Sequence, residues 1–65
     1  MTHSDILMKI ACKTEVKPNH QCMTENGFDH TDKFIIAHVI GDYEQLVIVN
    51  ELDQAFLINP NQLED

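Results

Sequence analysis

Two apolar runs in the second half of the chain set its pattern. "KFIIAHVI" (33–40) and "QLVIVN" (45–50) are rich in β-branched residues and are separated by "GDYE". That order predicts a hairpin with its turn at 41–44. "ELDQ" (51–54) supplies a second turn and "AFLI" (55–58) a further strand. In "NPNQLED" (59–65), Asn59-Pro60 starts a turn, and Leu63 is the one apolar residue able to dock a short 3₁₀ turn on the core. In the first half, "ILMKIACKT" alternates: Ile6, Met8, Ile10 and Cys12 on one side, Lys9 and Lys13 on the other. This period predicts a half-buried strand over 6–14. Residues 15–32 are polar, broken by Pro18, and carry an Asn26-Gly27 turn signal. They read as a long loop with a short hairpin pinned at Asn26-Gly27. No window shows sustained helical periodicity, and no repeat is present.

The strands of the hairpin do not alternate cleanly. In "FIIAHVI", Phe34, Ile36 and Ile40 share one face while Ile35, Ala37 and Val39 fill the other, and "LVIV" is apolar on both. Such runs imply cover on both sides of a sheet. The 15–32 segment offers only Val16, Met23 and Phe28 as cover. The alternatives are a second copy of the chain, giving a homodimer, or a small barrel whose strands curl over themselves. His38 lies in line with Phe34, Ile36 and Ile40, which reads as a partly buried core or interface histidine.

Length narrows the functional classes. A chain of 65 residues makes one domain and buries only about 60% of the surface its unfolded form exposes. A deep substrate cavity is hard to line at that size, so the expectation is a protein that is not an enzyme. The N-terminus lacks the basic start and apolar run of a secretory signal, no stretch is apolar enough to span a membrane, and two cysteines are most simply free thiols. A cytoplasmic address follows as an expectation. Charge then adds direction. The net charge is −7, and residues 34–65 hold six acids with no lysine or arginine. A surface of this sign repels phosphate backbones, which argues against direct nucleic-acid binding and permits attraction to a basic protein surface.

A strand at 6–14, a long loop at 15–32, a meander at 33–58 and "NPNQLE" at the end resemble small SH3-like β-barrels, including many short accessory proteins of bacteriophages. The expected fold class is therefore all-β: an SH3-like barrel, or a four-to-five-stranded antiparallel meander with a long first loop. The resemblance implies an accessory or inhibitor role. It does not carry over recognition of proline-rich peptides, because the chain has one tyrosine and no tryptophan.

Cys12, His20, Cys22 and His30 form a Cys-x₇-His-x-Cys-x₇-His series. Zinc takes four such ligands in tetrahedral sites, usually supplied as closely spaced pairs, and no C-x-x-C pair is present. A zinc-binding structural module is the alternative to a polar loop. "DHTD" (29–32) raises iron or manganese on a histidine with carboxylates, against a solvated turn. His20 and Cys22 could serve as base and nucleophile only with a stabilised thiolate and an oxyanion site, neither legible here. The two turns carry a different chemistry. Asp42 and Glu44 flank Tyr43, and Glu51 and Asp53 flank Leu52. These acids either solubilise the turns beside sticky strands or form a recognition edge, with Tyr43 as anchor and the carboxylates steering toward Lys/Arg on a partner. The expected function is an acidic protein-binding module, which the phage-type resemblance implies occupies a basic, nucleic-acid-binding surface of a host protein.

Overall fold

The computed structural model describes residues 2–64; Asp65, one of the six acids of the second half, lies outside them. Helix α1 spans His3–Cys12. Thr2 caps it: its hydroxyl accepts from the Asp5 N–H and its own N–H donates to the Asp5 carboxylate, both at 3.2 Å. This reciprocal pair satisfies two donors that a helix start leaves orphaned. Lys13, in the left-handed region at φ 52°, ends the helix by donating to the Ile10 and Lys9 carbonyls. The segment is thus not the strand expected over 6–14. Ile6 is buried and Ile10 half-buried, one turn apart on one face, while Met8 is 64% exposed and Cys12 is exposed. Four apolar residues at even positions mimicked a strand, but in the helix only Ile6 and Ile10 of the four turn inward, and packing of that face with the Thr2–Asp5 cap holds the helical form.

Strand β1 covers only Glu15–Val16, and after Pro18 helix α2 runs His20–Asn26. Asn19 caps α2 through a 2.8 Å bond from the Cys22 N–H to its side-chain oxygen. Gly27, at φ 69°, closes the helix by donating to the Met23 and Thr24 carbonyls. Asn26-Gly27 is therefore a helix stop and not a hairpin turn; the left-handed glycine that suits one also suits the other. The 15–32 segment is correspondingly not a long open loop.

Strands β2 (Phe34–Ile40), β3 (Gln45–Val49) and β4 (Ala55–Ile58) complete an antiparallel sheet in the order β1-β2-β3-β4. A 3₁₀ turn at Pro60–Gln62 then sends Leu63 into the core, as expected. A single bridge, Pro18 to Leu63, ties this end to the chain after β1, flanked by the bonds from the Asn19 N–H to the Gln62 carbonyl (2.7 Å) and from the Glu64 N–H to the Lys17 carbonyl (2.8 Å). The sheet does not close into a barrel, and with two helices the domain is mixed α and β, not all-β. The meander over 33–58 stands as expected.

One face of the sheet carries the core. Phe34, Ile36, Leu46, Ile48 and Ile58 are buried there with Ile6 of α1, Cys22 of α2, Val16 and Leu63. Phe28, Phe34 and Phe56 add an aromatic cluster, with Phe28 4.8 Å from Phe34 and 4.7 Å from Phe56 between ring centroids. A bulge falls between Ile36 and His38, which pair with Ile48 and Val47. The extra residue reverses the alternation beyond it. Val39 turns inward, and His38 and Ile40 turn outward. His38 is exposed, not a core histidine.

Candidate functional site

The second face of the sheet is apolar too. Register places Glu15, Ile35, Val49 and Ala55 in one row across the four strands and His38, Val47 and Leu57 in the next, with Ile40 beyond them. Ile35, Val47 and Val49 are half-buried, Ile40 is 40% exposed and Leu57 is 54% exposed. Both helices put their buried residues, Ile6 and Cys22, on the opposite face. The apolar runs of β2 and β3 thus have one side in the core and one side open. At the end of this face nearest the start of β2, Lys13, Lys33, Glu15 and Glu51 frame a shallow groove of about 310 Å³ floored by Ile35 and Val49.

Acidic turns close both ends of the face. At the β2–β3 end, Asp42 and Glu44 are exposed, but Tyr43 is not a free anchor. Its ring stacks on that of His3 at 3.9 Å and 10°, and it packs against the core. The turn is held to the start of α1 by that stack, with Gly41 and Tyr43 both at positive φ. At the β3–β4 end the geometry is built by Asn50. Its side-chain oxygen accepts from the Leu52 and Gln54 N–H groups, each at 3.0 Å, and its amide nitrogen donates to the Gln54 side chain at 2.9 Å. Asp53 sits at φ 60° and completes a tight turn by donating to the Asn50 carbonyl at 3.1 Å. Leu52 stands out at 78% exposure between the exposed Glu51 and Asp53. The exposed apolar side chain among the turns is Leu52, flanked by acids as the sequence indicated, whereas Tyr43 is half-buried.

The cysteines and histidines of the first half scatter. Cys12 and His20 are exposed, and Cys22 is buried with its sulfur 3.6 Å from the Asn26 amide nitrogen. Burial pushes the Cys22 thiol up, away from the thiolate that a nucleophile or a metal ligand requires. His30 is exposed, 3.1 Å from the Asp29 carboxylate. "DHTD" is a turn closed on itself: Asp29 accepts from the Thr31 N–H, and the Asp29 N–H donates to Asp32. The Thr31 backbone bond holds the Asp29 carboxyl below its usual range. Among the described residues no three His, Cys, Asp or Glu side chains are grouped to hold a metal ion.

No helix among the described residues is long and apolar enough to cross a membrane. Neither a family model, nor a curated protein, nor a solved structure matches the chain.

Proposed function

We propose that the protein is a binding module whose working surface is the open face of the sheet, and that its partner is a protein presenting apolar residues within a basic surround. The observation that carries this reading is the apolar patch of Ile35, Val49, Val47 and Leu57, in two adjacent rows, left uncovered by both helices. Contiguous apolar surface of this kind marks interaction sites in small proteins. The partner's charge follows from the frame: Asp42 and Glu44 stand at one end, and at the other Glu15, Glu51 and Asp53 outnumber Lys13 and Lys33. Carboxylates at the rim steer a cationic partner and set the salt dependence of association, while apolar contact supplies most of the affinity.

One form of this function, the phage-type accessory or inhibitor role expected from the sequence, is covering a basic, nucleic-acid-binding surface of a host protein; it rests on charge, since two of the segments that carried the SH3-like resemblance, 6–14 and 15–32, fold otherwise. Capture from cell lysate followed by mass spectrometry tests it, comparing wild type with a variant carrying Asp42→Asn, Glu44→Gln, Glu51→Gln and Asp53→Asn. The expected result is a basic protein retained by wild type, bound more weakly by the variant and with a flatter dependence on salt. Equal affinity and equal salt dependence would remove the electrostatic part of the proposal.

A further inference from the structure

Strand β4 ends the sheet, with β3 as its one partner among the described residues. Which of its backbone groups are spoken for can be worked out from the turn. The Asn50 N–H donates to the Gln54 carbonyl at 3.2 Å, so Asn50 and Gln54 are a hydrogen-bonded pair. Along an antiparallel ladder bonded and non-bonded pairs alternate. The register from Val49–Ala55 to Leu46–Ile58 is unbroken, which makes Ile48–Phe56 and Leu46–Ile58 the next bonded pairs. The N–H and C=O groups of Ala55 and Leu57 therefore point away from β3, and no described backbone group outside the strands bonds to them.

Edge strands of this kind are ordinarily protected by a lysine, a proline, a bulge or a covering loop. β4 reads Ala-Phe-Leu-Ile, pairs with β3 without irregularity, and lies within an uncharged stretch, 54–63. In a chain of net charge −7 this is where two copies approach with least repulsion. We infer that the β4 edge pairs with the β4 edge of a second copy, antiparallel about a two-fold axis at Phe56.

That register uses every free group. Leu57 of each copy lies opposite Ala55 of the other, and the two pairs exchange four hydrogen bonds. Phe56 lies opposite its symmetry mate in the non-bonded pair, where side chains approach most closely and aromatic pairs stabilise a sheet. The product is one eight-stranded sheet, with the open faces of the two copies side by side. This inference stands on the edge and not on the partner proposed above.

Proline at 57 is a selective probe, since the N–H it removes faces outward and makes no bond to β3, the setting in which edge strands tolerate proline. Sedimentation over a concentration series should show a wild-type dimer. Leu57→Thr, which keeps the N–H, should dimerise about as well, whereas Leu57→Pro loses two of four bonds and should weaken dimerisation about tenfold or more. Amide exchange in the wild type at high concentration should find Ala55 and Leu57 protected. A wild type that stays monomeric with both amides exchanging freely would overturn the inference, as would a dimer equally tight in Leu57→Pro. Should Leu57→Pro fail to fold, the wild-type exchange decides alone: protection of both amides supports the β4 pairing, and free exchange in a dimer rejects it.

Discussion

Phe34 joins the two halves of the molecule. It is buried, pairs through its backbone with Val16 of β1, and its ring meets Phe28 and Phe56. Truncating such a residue costs about 3–5 kcal/mol, which is comparable to everything a core of this size supplies. Phe34→Ala is therefore expected to leave most of the protein unfolded at room temperature, whereas Phe34→Leu keeps a cooperative transition at reduced Tm. Thermal unfolding followed by circular dichroism distinguishes the two. At this scale the sequence was readable where side-chain chemistry acts alone and unreadable where backbone geometry intervenes. Leu52 between two acids could be seen in advance. The outward turn of His38 could not, because it depends on one extra residue in β2, and no residue type in "IAHV" announces a bulge. The cover over Tyr43 was unreadable for a similar reason: its stacking partner, His3, is forty positions away in the chain.

Among the elements, the hairpin strands followed from β-branched runs with a turn between them, and both helices escaped. Their apolar faces are short, one buried residue each, so periodicity had almost nothing to work on. The legible signals were at the ends: Thr2 with Asp5, and Asn19 with Gly27. Loss of the α1 cap tests this directly. Thr2→Ala should cost about 1 kcal/mol, measured as a fall in the urea midpoint at unchanged slope. The same cap is sensitive to acid. The bond from the Thr2 N–H, reinforced by the Thr2 hydroxyl, lowers the Asp5 carboxyl below its ordinary value. A group with a depressed folded pKa contributes stability above its unfolded pKa and loses it as pH falls through the folded one. The α1 amides should therefore lose exchange protection as the solution is acidified below about pH 4, and Asp5→Asn should abolish the pH dependence of that loss. Acidification that leaves wild type and Asp5→Asn indistinguishable would show that the carboxylate does not hold the cap.

At the scale of the whole molecule, the uneven chemistry of the two faces is the main feature. Helices α1 and α2 cover one side of the sheet, and the second side keeps an apolar surface between acidic turns. The sequence held both halves of this picture, as continuous apolar runs in β2 and β3 and as the absence of cations after residue 33. It did not say which face the first half of the chain would cover, because the segments that do so were read as a strand and a loop. The measurement that bears most directly on the open face repeats the lysate capture with Ile35→Thr and Val47→Thr together, changes that keep β-branched residues in the strands and remove apolar contact from the face alone. Circular dichroism and Tm establish that the doubly substituted protein is folded. The open-face proposal requires that this folded variant lose the basic partner retained by wild type. Capture of the same partner at undiminished affinity would contradict it and shift the binding surface to another part of the molecule.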